Sequence, residues 1–396
     1  MRVKIVITGG GTAGHVTPLL AVASEVKSLE PSVHIRYIGK YSDTTTQSIV
    51  TNQAIEKNYA IAAGKLRRFH GKKWYWYFTQ PGLVARNIKD SILFSVGFVQ
   101  SISILVFWRP NVVFVKGGYV GLPVGLAAAC LRIAIVTHDS DVLPGLTNRI
   151  LSKFARTLAV GAPVDQYPQY ANKTVVYTGV PVRNDFIQPP LKSAARKQLG
   201  IPKQSHVVAI VGGSLGAVRV NDAILVNLDK LFVDTFKSLD SPLKLLWFTG
   251  AHGYKKILHA VEKTSHKDNI IVEPYTNDLA TVFSAADVVI TRAGATTLAE
   301  LSIMKKPSVI IPNPLLTGGH QTMNARVFQQ NNAAIVVTEK QLADSPLILS
   351  GVVKDVLMNQ EKQLMLSDNI STFARVDAAK DIAHLLLAAG NRNSGV

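Results

Sequence analysis

The chain has very little cysteine and no recognisable secretory leader. Cys130 is the single cysteine among 396 residues, so no disulfide can form within the chain, and a reducing compartment is indicated. The first residues, MRVKIVITGG, contain no long apolar region followed by a cleavage site, and we expect no secretory signal. These absences favour a protein that is not secreted and works in a reducing compartment.

Charged residues are scarce, and acidic ones especially so. Only 17% of residues are charged, against ~25% in an average soluble domain, while 47% are hydrophobic, which excludes a disordered basic tail. The 43 Lys and Arg outnumber the 26 Asp and Glu, giving a net charge of +17. Residues 1–185 carry 21 basic and 9 acidic side chains, and residues 186–396 carry 22 and 17. Nucleic acid, an anionic membrane or a phosphorylated substrate would each explain this excess.

Short β-branched runs alternate with helical patterns in the first half of the chain. The expected strands are Lys4–Thr8, Val33–Ile38, Val112–Val115 and Ile133–Thr137, with a helix over Pro18–Leu29. Each run ends in glycine or polar residues. This alternation is typical of βαβ units in a doubly wound parallel sheet.

The same alternation starts again in the second half. Strands are expected at Val207–Val211, Leu243–Thr249, Ile270–Val272, Val288–Thr291 and Ser308–Ile311, and helices at Asn221–Leu231, Asn277–Ala285 and Thr296–Met304. Ser367–Ala389 is a final amphipathic helical region. The sequence therefore predicts an α/β protein with two Rossmann-like domains, residues 1–185 and 186–366, since one core rarely exceeds ~300 residues. The best linker is Gln188-Pro189-Pro190-Leu191-Lys192.

Two segments of the first half suggest contact with lipid. Ile92–Trp108 is nearly as long as a bilayer span of ~20 residues. It contains Gln100 and three serines, so a buried or interfacial helix leading into Val112–Val115 is favoured over a transmembrane one. Lys65–Phe78 combines five Lys or Arg with six aromatic residues, and such mixtures favour the headgroup layer of an anionic membrane.

We predict membrane-surface docking for this basic–aromatic segment. A solvated charge run beside core aromatics and stacking on single-stranded nucleic acid are the alternatives. We do not expect a nucleic-acid partner. The candidate membrane-association residues are Lys65, Arg67, Arg68, Phe69, Lys72, Lys73, Trp74, Tyr75 and Trp76.

A glycine-rich loop, Gly9–His15, follows the first strand and opens a helix. Its spacing, Gly9-x-Gly11-x-x-Gly14, lets backbone N–H groups at a helix start approach a phosphate. A nicotinamide dehydrogenase would also need an acid at the end of the second strand, but that strand ends Tyr37-Ile38-Gly39-Lys40. His15 could serve there as a base or as a hydrogen-bond donor to a phosphate. It could also merely cap the helix or pack against it.

A second loop of this kind, Gly212–Ala217, stands in the same strand–loop–helix context in the other half. Neither loop is a Walker A motif, because no Gly-Lys-Ser/Thr follows. The pair predicts a protein that binds a nucleotide diphosphate and a second phosphorylated molecule.

Taken together, the motifs resemble those of the MurG family, glycosyltransferase family 28. The matching residues are Gly10–Val16 with Pro18, Gly117–Pro123, Gly145–Asn148, Gly179–Arg183, Gly212–Ala217, Asp287 with Arg292–Ala295, Thr296–Glu300, and His320-Gln321 with Asn324-Ala325. The resemblance spans nearly the whole chain. It implies a GT-B fold, with two Rossmann-like domains facing a central cleft and a last helix (residues 367–390) that returns to the first domain.

The resemblance also implies a reaction and its partners. N-acetylglucosamine (GlcNAc) would pass from UDP-GlcNAc to the C4 hydroxyl of the N-acetylmuramic acid (MurNAc) of lipid I, undecaprenyl-pyrophosphoryl-MurNAc-peptide. The transfer would invert the anomeric centre and yield lipid II and UDP for peptidoglycan synthesis. It would take place at the cytoplasmic membrane face by a peripheral enzyme without a metal or other cofactor.

Roles carry over onto individual residues. The implied acceptor-binding residues are Gly11, Thr12, Gly14, His15 and Tyr119. The implied donor-binding residues are Thr12, Ala13, Gly14, Asp141, Arg183, Gly213, Ser214, Tyr275, Thr276, Ala295, Thr296, Thr297, Leu298, Ala299, Glu300, His320 and Gln321. The general base must lie within ~3 Å of the attacking hydroxyl. His15 is the first candidate for it, followed by Asp139 and Asp141.

The chain departs from the family at His138-Asp139-Ser140-Asp141, where His-Glu-Gln-Asn is usual. Asp139 is one methylene group shorter than glutamate, and Asp141 cannot donate through an amide N–H. Asp139-x-Asp141 also has the spacing of a metal-binding Asp-x-Asp, an alternative that we do not favour. Because of this departure, two other functions stay open: a related enzyme that glycosylates another lipid, and a non-catalytic binding protein. A UDP-GlcNAc 2-epimerase is a further alternative, because it would share the fold and the sugar donor.

Overall fold

The computed structural model describes residues 3–10, 13–40, 52–65, 79, 81–213, 216–236 and 241–391, with the backbone alone at 13–15, 234–236 and 317. The chain forms two compact units. Unit 1 comprises Met1–Arg183 and Arg375–Val396, and unit 2 comprises Asn184–Ala374. The predicted linker at 188–192 therefore lies inside unit 2. The chain joins that unit earlier because Phe186 is buried against Phe283, with 6.0 Å between ring centroids.

Unit 1 is built on a parallel sheet of seven strands in the order β3-β2-β1-β4-β5-β6-β7. The strands are β1 Lys4–Thr8, β2 His34–Lys40, β3 Lys57–Ile61, β4 Val112–Val115, β5 Ala134–Asp139, β6 Thr157–Val160 and β7 Val175–Tyr177. Ile5 pairs with Ile35 on one side and Val112 on the other, and all three are fully buried. Such continuous burial matches the apolar runs that predicted β1 and β4.

Helices cover both faces of this sheet. They are α1 Ala13–Leu29, α2 Pro81–Trp108, α3 Gly118–Cys130 and α4 Leu146–Leu151. One core cluster joins α1 to β1 and β2, and another joins α2 and α3 to β4. The parallel connections place the loops after β1, β4 and β5 at one edge of the sheet.

Unit 2 repeats this arrangement with six parallel strands in the order β10-β9-β8-β11-β12-β13. The strands are β8 His206–Val211, β9 Leu243–Phe248, β10 Ile270–Glu273, β11 Val288–Thr291, β12 Ser308–Ile310 and β13 Ile335–Val336. The helices are α5 Asn184–Ile187, α6 Lys192–Gln198, α7 Val218–Phe236, α8 Tyr254–Glu262, α9 Leu279–Ala285, α10 Ala295–Ile303, α11 His320–Gln330, α12 Glu339–Asp344, α13 Ile348–Met358 and α14 Gln360–Ser371.

The last helical region is divided, contrary to the expectation of one helix over 367–389. Helix α14 ends at Ser371 in unit 2, and α15, Ala378–Asn391, packs against α1 in unit 1. Between them Phe373 stacks on Phe328 of unit 2 at 4.6 Å, and the Arg375 guanidinium lies 4.3 Å from the Tyr177 ring of unit 1. These contacts hold the segment that joins the two helices.

Helix α2 is longer than expected and far less buried. Only 22% of its most apolar window is buried, so of the two expected forms, a buried or an interfacial helix, the buried one is wrong for one face. The large apolar side chains exposed on it are Ile88, Ile92, Val96, Val99, Val106 and Phe107. Within the described part of the chain, this helix alone is long and apolar enough to cross a membrane, judged by length and composition.

Candidate active site

In both sheets the order in which successive strands are added reverses between two central strands. These are β1 and β4 in unit 1 and β8 and β11 in unit 2. In open parallel sheets, ligands bind outside the carboxyl ends of the strands at such a switch point. The two predicted glycine loops follow β1 and β8. Each therefore stands at the edge where its unit is expected to bind a ligand.

In unit 1 the loops after β1 and β4 are packed directly against each other. Gly118 has φ 77°, and a Cβ atom there would come within 2.5 Å of the Gly10 carbonyl oxygen. The Tyr37 hydroxyl donates to the Gly9 carbonyl at 2.7 Å. Gly11 and Thr12 lie outside the described residues, and the first turn of α1 is described by its backbone alone, so the side chain of His15 is not placed.

Asp139, a candidate base, is the last residue of β5 and is only 7% exposed. Its Oδ1 atom accepts hydrogen bonds from the Asn148 amide at 2.8 Å and from the Gly145 N–H at 3.3 Å. Burial raises the pKa of Asp139 to about 7, although these hydrogen bonds and the positive charge of Lys116 act in the opposite direction. A carboxyl group with such a pKa is suited to exchange protons near neutral pH.

Lys116, which the sequence analysis did not single out, lies directly after β4 and is 3% exposed. Its Nζ atom donates to the Ser140 hydroxyl at 2.5 Å. Burial lowers the pKa of Lys116 to about 8, and the charges of Asp139 and Asp141 oppose that shift. The sequence signal for this residue is a lysine placed between a buried strand and a pair of glycines. Because β4 and β5 are parallel neighbours in the sheet, the residue that follows β4 lies near the residues that end β5.

His138 is fully buried, and its Nε2–H donates to the Gly179 carbonyl at 2.8 Å. Burial, together with the charge of Lys116, lowers its pKa well below the usual range, so the ring is neutral and structural. The Asp141 carbonyl accepts from the Tyr167 hydroxyl at 3.1 Å. Tyr119 is half-buried at the start of α3, with the Lys40 ammonium 5.6 Å from its ring centroid.

The Asp-x-Asp spacing, which offered the alternative of a metal site, lies within the ranges whose side chains the structure describes. Across those ranges no group of three or more His, Cys, Asp or Glu side chains could hold a metal ion. The carboxylate of Asp139 is instead engaged by the Asn148 amide. Asp139 thus belongs to a network of hydrogen bonds within the protein.

In unit 2 the second glycine loop turns sharply between β8 and α7. Gly213 and Gly216 have φ 84° and 77°, and a Cβ atom on Gly216 would come within 2.7 Å of the Thr249 carbonyl oxygen. Ser214 lies outside the described residues. The loop leads into the first turn of α7, where free backbone N–H groups favour an anion.

The donor candidates of the α10 segment lie at the carboxyl end of β11. Helix α10 starts at Ala295, with Thr296, Thr297 and Ala299 half-buried and Leu298 buried. Glu300 is 8% exposed, so it is not an ordinary exposed helix carboxylate. Asn324, whose role the sequence did not reveal, donates to the Ala293 carbonyl at 3.1 Å and ties α11 to this segment.

The remaining donor candidates stand on neighbouring loops. His320 and Gln321 begin α11, and Gln321 Oε1 accepts from the Asn313 N–H at 2.9 Å. Tyr275 is exposed and Thr276 half-buried in the loop after β10, and Arg183 ends the first segment of unit 1. The loops after β8, β10, β11 and β12 thus all contribute candidates to the carboxyl edge of unit 2.

The family comparison agrees with this geometry. The glycosyltransferase family 28 N-terminal domain model matches residues 5–160, and the family 28 C-terminal domain model matches residues 207–382. The chain belongs to glycosyltransferase family 28. As a family 28 enzyme it is a glycosyltransferase with the GT-B fold of two Rossmann-like domains, and the recognised motifs identified the family correctly.

Individual relatives of this family 28 enzyme match over nearly their whole length. A protein of Acetivibrio thermocellus named UDP-N-acetylglucosamine–N-acetylmuramyl-(pentapeptide) pyrophosphoryl-undecaprenol N-acetylglucosamine transferase is 33% identical over 384 residues, covering 97% of each chain. The crystal structure of Acinetobacter baumannii MurG has a TM-score of 0.74 at 24% identity and covers 98% of this chain and 100% of its own. A UDP-N-acetylglucosamine 2-epimerase has a TM-score of 0.67 at 12% identity, covering 99% and 98%. These structural likenesses show the fold alone.

Proposed function

We propose that this enzyme transfers GlcNAc from UDP-GlcNAc to the C4 hydroxyl of MurNAc in lipid I, with inversion, releasing UDP and forming lipid II for peptidoglycan synthesis. The observation that carries the proposal is the 33% identity, over 97% of both chains, to a relative named for this transfer. The likeness to an epimerase is at 12% identity and extends only to the fold. Transfer is therefore favoured over epimerisation.

The proposed donor site belongs to unit 2. Backbone N–H groups of the Gly212–Ala217 loop and the start of α7 would hold the UDP phosphates and offset the charge of the leaving diphosphate. Glu300, already buried at the carboxyl edge, would accept the ribose hydroxyls, and Tyr275 and Thr276 would meet the uracil. His320 and Gln321 would contact the sugar hydroxyls. We propose that this arrangement needs no divalent cation.

The proposed acceptor site belongs to unit 1. The lipid diphosphate would lie against the loop of Gly11, Thr12 and Gly14. As the C4 oxygen attacks the anomeric carbon, the bond to UDP breaks and a base takes the hydroxyl proton. His15 is proposed as this base, with Asp139 and Asp141 as the other candidates.

We propose that the enzyme docks peripherally on the anionic cytoplasmic membrane face, where its lipid acceptor lies. The exposed apolar side of α2 supports this proposal, because lipid would cover it. Lys65 is exposed just before α2 in the chain, while the other members of the basic–aromatic segment, from Arg67 to Trp76, lie outside the described residues. No nucleic-acid partner is proposed.

The reaction is tested with purified enzyme, UDP-GlcNAc and a short-chain lipid I analogue in the presence of EDTA. We expect a GlcNAc–MurNAc disaccharide product. Formation of UDP-ManNAc, or of a glycolipid from another acceptor, in place of this disaccharide would contradict the proposed reaction. Product that appeared only when a divalent cation was restored would refute metal independence.

The base is tested with His15→Ala in the same assay. Turnover should fall by at least about a hundredfold, as expected for loss of a general base, while donor affinity changes little. The matched control is His34→Ala, which removes a half-exposed histidine of unit 1 that pairs with Glu56 at 2.9 Å. Turnover near the wild-type value in the His15 variant would remove His15 as the base.

A further inference from the structure

A buried lysine faces the acidic segment of unit 1. We propose that Lys116 is a positioning residue, whose ammonium group holds the Ser140 hydroxyl and the carboxylates of Asp139 and Asp141 in the arrangement that meets the attacking acceptor hydroxyl. The inference rests on the proposed transfer reaction. It assigns a role to a residue outside every motif used to recognise the family.

The sheet places these groups together. Strands β4 and β5 are parallel neighbours, with Val115 paired to Thr137, so the residues that follow them share the carboxyl edge. Lys116 Nζ reaches the Ser140 hydroxyl at 2.5 Å. The charges of both Asp139 and Asp141 act on the buried ammonium group, which places both acids near it.

Charge balance explains why a cation is needed here. The segment carries two carboxyl groups within three residues, Asp139 and Asp141, and Asp139 is buried. A charge removed from water is costly unless it is paired. Lys116, which directly follows β4, supplies the opposite charge.

The other groups around Asp139 are neutral or belong to the same network. The Asn148 amide and the Gly145 N–H donate to its carboxylate. Tyr167 and Tyr170 face it, and burial, together with its negative charge, raises the pKa of both phenols, so they stay protonated.

Two further titratable groups belong to the surroundings of Asp139. His138 is uncharged, and Arg149 acts on Tyr170. The positive charge that acts directly on the Asp139 carboxyl is that of Lys116. Removing it should make ionisation of Asp139 less favourable.

Lys306 provides a matched control in unit 2. Its Nζ atom donates to the carbonyls of Ser284 and Ala286 at 3.2 and 3.0 Å, and burial lowers its pKa to about 8, as for Lys116. These partners precede β11, away from the carboxyl edge that carries the donor candidates. Lys306→Met therefore removes a half-buried lysine whose pKa is lowered in the same direction, without touching the proposed site.

The experiment compares Lys116→Met, Lys116→Arg and Lys306→Met by the pH dependence of kcat and kcat/KM with UDP-GlcNAc and a short-chain lipid I analogue. Asp139 must be ionised whether it takes the proton itself or accepts a hydrogen bond from the acceptor hydroxyl beside His15, and its pKa of about 7 then sets the acidic limb. Lys116→Met should therefore move that limb upward by about one pH unit or more and lower kcat at pH 7 about tenfold or more. The KM for UDP-GlcNAc should change less than about threefold, and Lys116→Arg should retain the limb near its wild-type position. An acidic limb that stayed in place in Lys116→Met, or moved equally in Lys306→Met, would overturn the proposal.

A substrate-free measurement separates this inference from the proposed reaction. Thermal unfolding is followed from pH 5 to 9 for the same variants, for Asp141→Asn and for Lys116→Met/Asp141→Asn. Lys116→Met should lower Tm by more than about 5 °C at pH 8, and the loss should shrink in the Asp141→Asn background, where one negative charge near the lysine is gone. An equal loss in both backgrounds refutes the charge pairing. A wild-type enzyme that made no disaccharide would instead count against the reaction alone.

Discussion

At the scale of residues, unit 1 concentrates polar groups in a place where they cannot reach bulk water. Asn148 donates both to the His138 carbonyl and to Asp139 Oδ1, each at 2.8 Å. Buried groups of this kind are costly when a partner is lost, so they keep a single arrangement. The network therefore holds the end of β5 rigidly against α4, which is what a proton-transfer group requires.

Asp139 should make stability depend on pH. Its folded-state pKa of about 7 lies above the ordinary value of 3.8, so the folded chain binds an extra proton between those limits. Stability should therefore fall as pH rises from ~4 to ~7, by up to about 1.4 kcal/mol per pH unit. In Asp139→Asn this slope should flatten, measured by urea unfolding at pH 5, 6, 7 and 8.

The control for that measurement is Asp222→Asn. This carboxylate is half exposed and pairs with Lys256 at 2.6 Å, so its removal should leave the slope unchanged. Parallel pH dependences for wild type and Asp139→Asn would contradict the expected protonation of Asp139.

At the scale of elements, α2 has one face packed in the core and one that is exposed in the part of the chain that the structure describes. Leu83, Leu105 and Trp108 lie on the buried face, and Gly97 lets the helix approach the Ala62 carbonyl, where a Cβ atom would clash at 1.9 Å. Serines along the helix donate to carbonyls one turn back, so their hydroxyls are satisfied internally. The serines that argued against a transmembrane span therefore do not prevent contact with lipid.

The exposed face of α2 predicts vesicle binding. Ile92 and Val99 are 60% and 63% exposed, and Ile92→Gln/Val99→Gln should weaken binding to phosphatidylglycerol-containing vesicles about tenfold. Tm should change by less than about 2 °C, because neither side chain is in the core. Co-sedimentation measures the binding.

The matched control changes an exposed apolar residue of unit 2, Val226→Gln in α7. An equal loss in this variant would contradict docking through α2. Binding that ignored anionic lipid content and salt would contradict a role for the excess positive charge of residues 1–185.

At the scale of the whole molecule, unit 1 is completed by the last helix of the chain. Ile382, Ala383 and Leu386 of α15 are fully buried in the same cluster as Ile5 and Leu19. The fold of the first domain thus depends on residues that follow the whole second domain in the chain. The two units should accordingly respond separately to core substitutions.

Leu386→Ala should destabilise unit 1 by about 2–5 kcal/mol, the usual cost of a cavity left by leucine. Hydrogen exchange should quicken in β1 and α1, while β8 and β9 keep their protection. Leu349→Ala, an equally buried change in α13 of unit 2, should give the reverse pattern. Equal loss of protection in both units after either change would refute separate cores.

Local sequence was sufficient for elements whose burial is complete. Val112–Val115 and Val288–Thr291 were predicted with their observed bounds because every residue of each strand faces a packed layer. The short strands β3, β6, β7 and β13 were not predicted, since their few residues form no distinct apolar run. Helix α1 begins five residues before the expected Pro18, so this proline stands inside the helix, where one i→i−4 hydrogen bond is missing.

The sequence by itself determined the class of this protein, because glycine spacing and β-branched runs directly encode turns and buried parallel strands, and because its motifs occur together in one family. Only the tertiary structure decided which side chains are covered. It buried Lys116 beside Asp139, left one face of α2 exposed and assigned α14 and α15 to different units. Burial depends on neighbours distant in the chain, and these neighbours set both the charge state of a group and the surface left for a partner.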